Sequence, residues 1–169
     1  LMQKQDSERA IDAFTCAIEA DSKNYFLYLG RGWAYLMQLR YEEAIADLEI
    51  SDSMMGYSLT QFYLGKAYAG LEEHEEAIRH FDQALDQNSD FIEAYVERGV
   101  SYVLLDDYDA AIDDFNQALE MDSEYVYAYG SRGWAYARSG DYDAAVADFN
   151  RVLDINPLLA FDGLTFLHP

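Results

Sequence analysis

A single cysteine, Cys16, occurs in 169 residues, which excludes an intrachain disulfide as a source of stability. Cations are scarce as well: 11 lysines and arginines face 32 aspartates and glutamates, a formal charge of −21. A surface of that sign repels phosphate backbones and anionic lipid, so neither nucleic acid nor a membrane surface is expected as partner, and basic or neutral partners are favoured. No apolar run approaches the roughly 20 residues of a membrane-spanning helix, and the amino terminus lacks the charged-then-apolar pattern of a signal peptide. The chain opens on Leu1 and reads as a fragment of a longer protein; its compartment is not legible, a cytoplasmic one being the default reading. What is plentiful is apolar surface: 51% hydrophobic against 25% charged residues describes a globular chain with a continuous core.

The apolar residues recur on a fixed period. Arg31-Gly32-Trp33, Leu64-Gly65-Lys66, Arg98-Gly99-Val100 and Arg132-Gly133-Trp134 are spaced by 33, 34 and 34 residues, each with a Tyr three residues after its Gly. Twelve residues after each Gly stands an Ala (Ala44, Ala77, Ala111, Ala145), and four later a large apolar residue (Leu48, Phe81, Phe115, Phe149). Two stretches of helical periodicity per unit follow from that spacing. The second helix of each unit is expected to begin at Tyr41, His74, Tyr108 or Tyr142, because acids such as Glu42, Glu75, Asp109 and Asp143 then fall in its first turn, where the helix dipole favours them. The recurrent Gly, set opposite the recurrent Ala, implies close helix approach. One residue is missing between Ser51 and Leu64, so a tighter turn or shorter helix is expected around Ser53 to Gly56.

The unit Tyr129-x2-Arg132-Gly133-x2-Tyr136, Gly140-Asp141-Tyr142, Ala145, Phe149, Pro157 resembles the tetratricopeptide repeat family nearly position for position, and the resemblance covers about the whole chain. Only Pro157 supplies the family's turn proline; Ser22, Ser89 and Ser123 replace it elsewhere, which implies softer turns. The resemblance implies an all-α fold, a right-handed α-solenoid of antiparallel helix pairs forming a tetratricopeptide superhelix. One array is expected over 1–169, with a part-repeat at 1–24, repeats at 25–57, 58–91, 92–125 and 126–159, and a capping segment at 160–169 docked over Val146, Phe149 and Leu153. The part-repeat lacks its first helix and should leave Ala10, Phe14 and Ala17 open to association.

Two residues switch together along the repeats. Arg31, Arg98 and Arg132 accompany Asp47, Asp114 and Asp148, whereas the remaining unit has Leu64 and His80. An ion pair bridging the two helices of a unit is expected, contributing no more than about 1 kcal/mol if exposed.

No enzyme is read here. His74 and His80 are six residues apart, on different helix faces, which does not suit a metal. Gly30-Arg31-Gly32 and Gly130-Ser131-Arg132-Gly133 sit inside expected helices, without the strand a phosphate loop needs, and read as packing glycines. The Asp106-Asp107-Tyr108-Asp109 and Asp141-Tyr142-Asp143 clusters lack the Gly and distal Glu of a calcium loop. Neither cofactor nor metal is expected, and no nucleophile-base constellation stands out.

Function then falls to the inner face that the family's first helices line. Carried over position by position, that face implies a groove of Phe26, Leu29, Trp33 and Met37; Leu59, Phe62, Tyr63 and Lys66; Glu93, Val96, Glu97 and Val100; Tyr127, Ser131, Trp134 and Arg138. The strip is rich in aromatics, with a carboxylate pair in the middle. The Lys/Asn clamp with which one subclass holds chaperone carboxylates is replaced by Leu29, Trp33, Tyr63, Glu93 and Glu97. The implied function is a non-enzymatic scaffold for protein-protein interaction, binding an apolar peptide with a Lys or Arg opposite Glu93 and Glu97. The alternative is a structural module that forms a homo-oligomer through its open ends or groove.

Overall fold

The structure is a computed structural model that describes residues 2–157, with side chains from residue 6 onward. The described residues form nine helices and no strand: α1 (Met2–Ala20), α2 (Tyr25–Leu36), α3 (Tyr41–Met54), α4 (Ser58–Gly70), α5 (His74–Gln87), α6 (Ile92–Leu104), α7 (Tyr108–Met121), α8 (Val126–Ser139) and α9 (Tyr142–Ile155). Two compact units divide them, Leu1–Ser89 and Asp90–Pro169. In the first, α2 pairs with α3 and α4 with α5, while α1 packs on α2 and α3 on α4; in the second, α6 pairs with α7 and α8 with α9, and α7 packs on α8. The second helices start at Tyr41, His74, Tyr108 and Tyr142, where the acid-rich first turns place them. The missing residue lies in a turn: only Met55, Gly56 and Tyr57 separate α3 from α4, whereas four residues separate α7 from α8. The segment expected to cap α9 lies outside the described residues.

Each helix pair closes on a glycine, but the nearest group it meets is not the expected alanine. A Cβ added at Gly99 would lie 2.7 Å from the Phe115 ring, at Gly65 2.6 Å from Phe81, at Gly133 2.9 Å from Phe149, and at Gly32 2.8 Å from Leu48. The glycine makes room for the large residue one turn beyond the alanine, and Ala44, Ala77 and Ala111, all fully buried, allow the backbones to approach. The gain in contact offsets the roughly 1 kcal/mol that a helical Gly costs relative to Ala. Gly130 departs from the expected packing role. A Cβ there would meet nothing within 4 Å. It occupies the position where earlier repeats carry Leu29, Phe62 and Val96, so its repeat lacks a core side chain. Phe14, expected to be open, rests instead against Gly30 on α2 and is half-buried.

The arginines do bridge helices. Arg31 Nε and Nη2 donate to Asp47 at 2.6 and 2.8 Å, Arg98 to Asp114 at 2.8 and 2.6 Å, and Arg132 to Asp148 at 2.8 Å through both nitrogens. These forks are not exposed: the aspartate side chains are 6, 7 and 8% accessible. Each guanidinium also lies over a tyrosine of its own helix, Tyr28, Tyr95 or Tyr129. The hydrogen bond to Asp47 raises the pKa of Arg31, and that to Asp148 raises Arg132, which secures both charges. A third contact reaches the preceding helix, Arg31 to Thr15 on α1 at 3.0 Å and Arg132 to Asn116 on α7, so one side chain ties three helices. Where Arg and Asp are absent, Gln61 on α4 takes over: its amide donates to Asp52 on α3 at 2.6 Å, and its carbonyl meets His80 Nδ1 on α5 at 2.7 Å. Burial pushes the His80 pKa down, and the ring stacks on Tyr68.

The turn inside each pair takes a left-handed residue: Leu39 at φ 59°, Glu72 at 63°, Asp106 at 61° and Gly140 at 93°. Only the last is the residue type that adopts this conformation without steric penalty.

Three outcomes are expected from these contacts. Gly99→Ala should lower stability by about 1–3 kcal/mol through overpacking against Phe115, while Gly130→Ala should raise it by about 0.5–1 kcal/mol; chemical denaturation of both variants checks the opposite signs. Arg132→Met should cost about 3 kcal/mol because Asp148 is left buried and unpaired, and adding Asp148→Leu should recover most of the loss. Because the folded-state pKa of His80 is depressed below the ordinary value of about 6.5, its contribution is complete above that pH and is lost as pH falls below it. Thermal unfolding of His80→Gln should therefore depend less on pH between 7.5 and 5.5 than that of the parent.

Candidate functional site

The first helices of the first unit, α2 and α4, contribute most of the wall of an open cavity of about 280 Å³, lined by Trp33, Leu36, Met37, Leu39, Tyr41, Phe62, Tyr63 and Lys66. Five of the expected groove residues, Trp33, Met37, Phe62, Tyr63 and Lys66, therefore meet in one place. Trp33, in the last turn of α2, and Met37, which caps that helix, are 44 and 53% exposed. The Phe62 and Tyr63 rings stand 5.6 Å apart, and the Lys66 amine sits 5.7 Å from the Phe62 ring centre. Burial raises the Tyr63 phenol above its ordinary pKa. Leu36, Leu39 and Tyr41 complete the wall and escaped the sequence reading, since the last two lie in the turn and at the start of the second helix.

The other expected residues of this unit do not line the cavity. Phe26, 60% exposed, stacks edge-on against Tyr25, whose ring also packs on Tyr57. Leu59 is exposed apart from it. Leu29 is buried in the core with Ala44, Leu48, Leu64 and Ala67. Phe62 too is only 8% accessible, although it lines the cavity.

In the second unit Val96 is fully buried and belongs to the core with Phe115 and Ala128, so it is not a surface residue. Val100 and Trp134 are half-buried against that core, and Ser131 is half-buried. Glu93 is exposed and Glu97 half-buried, one turn apart on α6. α6 packs against α8: partial desolvation first, then the Glu93 and Glu97 charges, raise the Tyr125 phenol, and desolvation with the Glu97 charge raises Tyr127. Tyr127 remains 46% exposed. Tyr125, immediately ahead of α8, was missed by the sequence reading. Arg138 is not an open ligand for a partner: it donates to Asp106 at 2.8 Å and lies over the rings of Tyr108 and Trp134.

Among the described residues no group of three or more His, Cys, Asp or Glu is placed to hold a metal, and no helix is long and apolar enough to cross a membrane.

Short helix pairs locked by a glycine under a large apolar residue, with aromatic and charged side chains displayed on their first helices, define a repeat scaffold for protein interaction. Residues 1–51, 62–119 and 97–160 match the tetratricopeptide repeat, and the chain belongs to that family, whose members are generally non-enzymatic interaction modules. Its fold is close to the crystal structure of MamA, 26% identical with a TM-score of 0.82 over 94% of this chain and 93% of that one. It is also similar to YrrB, described as a tetratricopeptide protein with an unusual peptide-binding site, 25% identical with a TM-score of 0.76 over 94% of this chain and 83% of that one. A thermophilic tetratricopeptide protein in Thermus thermophilus, 18% identical with a TM-score of 0.79 over 95% of this chain and 88% of that one, shares the fold. No curated protein matches the chain.

Proposed function

We propose that the chain is a non-enzymatic scaffold that binds a peptide segment of a partner protein, the second unit recognising a Lys or Arg side chain between Glu93, Glu97, Tyr125 and Tyr127. The observation that carries this reading is the packing of α6, which bears Glu93 and Glu97, against α8, which Tyr125 precedes and which bears Tyr127; the two phenols are raised first by desolvation and then by these carboxylate charges. Carboxylates and ring faces are the two groups that attract a cation, and a guanidinium suits both. The second unit holds sixteen acids and four arginines, and Arg98, Arg132 and Arg138 are engaged with Asp114, Asp148 and Asp106, so its long-range field also favours a basic partner. YrrB, as a protein with a peptide-binding site on this fold, supports a peptide as the ligand class. The clamp positions Leu29, Trp33, Tyr63, Glu93 and Glu97 offer no cation to a chaperone carboxylate.

A second reading has one observation in its favour. Tyr142, Val146, Phe149 and Leu153 form a stripe on α9 with exposures of 70, 58, 38 and 40%, whereas the matching Phe115 and Leu119 on α7 are buried. Homo-oligomerisation through that stripe would appear as a concentration-dependent mass in light scattering.

For a partner recovered by pull-down and mass spectrometry, Glu93→Lys with Glu97→Lys should weaken binding by about 1–3 kcal/mol. The exposed acids of α7 serve as control: Asp109→Lys with Asp113→Lys should change affinity little, and equal losses from the two double variants would show that diffuse charge sets recognition.

A further inference from the structure

Within a unit, a second helix is covered by the first helix of the next pair: α4 packs on α3, and α8 packs on α7, where Phe115 is fully buried and Leu119 is 9% accessible. The same positions of α9 are bare. Phe149 and Leu153 are 38 and 40% exposed, and Tyr142 and Val146 rise to 70 and 58%, whereas the matching Tyr108 and Ile112 are half-buried. Gly130 widens the gap. The Phe62 ring stands 5.9 Å from Phe81, and Val96 shares a core with Phe115, but the residue at the corresponding place in the last pair is Gly130, which offers Phe149 no side chain. An apolar stripe at the open end of stacked helix pairs needs a cover.

The residues that follow α9 in the sequence have the connection, the reach and the chemistry to supply it. Pro157 stands directly after the C-cap Asn156 and stops α9. Four residues lead from α7 to its covering helix, and the same count from Ile155 arrives at Ala160. Residues 158–167 extend at most about 35 Å, or about 15 Å in helical form, and Val146 to Leu153 spans only about 10 Å of α9. They carry Leu158, Leu159, Phe161, Leu164, Phe166 and Leu167 with a single charge, Asp162. A second copy would instead set a formal charge of −21 against its like, and it lacks the high effective concentration of a tethered segment. Position 167, where a further pair would need its glycine, holds Leu, so the segment does not repeat the pattern of the pairs before it. We propose that residues 158–167, which lie outside the described residues, are the occupant of the α9 stripe, their apolar side chains lying on Val146, Phe149 and Leu153 and filling the place that Gly130 leaves open. The proposal stands apart from the partner-binding reading.

Val146→Asn in the full chain gives the first measurement, because Val and Asn differ little in helix propensity. On a bare surface the change leaves thermal unfolding unaltered. Under a cover it sets an unpartnered amide against apolar side chains, and a melting temperature lower by roughly 4 °C is expected. Phe161→Asn with Leu164→Asn should cause a similar drop from the other side of the contact. All three substitutions together should lower the melting temperature no further than the larger of the two separate losses, since each removes the same contact. An unchanged melting temperature in either variant would overturn the proposal, as would losses that add in the triple variant. Light scattering tests the competing occupant: the parent should keep the mass of one chain as its concentration rises. A concentration-dependent mass that Val146→Asn abolishes would put a second copy on the stripe and overturn the cover.

Discussion

Distance between paired helices is set by one contact, the large apolar side chain of the second helix lying on the bare backbone of a glycine in the first. With no Cβ at Gly65, Gly99 or Gly133, the rings of Phe81, Phe115 and Phe149 take the space a side chain would fill. That approach makes the rest of the pair possible. It brings Arg98 within bidentate reach of Asp114, and it lets short turns span from one helix to the next. It also fixes which side of each first helix remains available to a partner, because the glycine stripe is committed to the interior.

The bridging arginines add a second layer on the same geometry. Their energetic weight comes from burial: a carboxylate held away from water must keep its partner, whereas the same pair on the surface would contribute little. The Gln61 arrangement achieves a comparable three-helix connection with an amide and an imidazole, so the sequence change at Leu64 and His80 removes the ionic chemistry without removing the linkage.

The period, the helix type and the starts of the second helices were legible because small residues and acidic first turns are local signals repeated four times. The Arg/Asp bridges were legible from their joint replacement. The glycine's true neighbour was not: spacing alone placed it opposite Ala111, and only packing shows the ring of Phe115 crossing to it. Leu29 and Val96 were assigned to the groove, yet each lies three residues before its glycine and therefore on the buried stripe of a 3.6-residue helix; Phe62 shares that position but also reaches the cavity. Leu39 and Tyr41 were illegible as cavity residues, since a leucine carries no signal for a left-handed turn and a helix-opening tyrosine none for the face it completes. Tyr125 was missed because it precedes α8, outside the repeat positions that define the inner face.

The linkage through Asp52, Gln61 and His80 has a mechanical consequence. In the first unit, pulling on the chain ends loads the helix pairs in series. The α2 and α3 pair is held by an ionic fork that must surrender two bonds together, whereas α4 and α5 are joined at the matching place by one neutral amide-to-imidazole bond. The ionic element that resists parting of α2 from α3 is therefore absent between α4 and α5, where resistance to extension falls to the packing of Phe81 on Gly65 and Phe62.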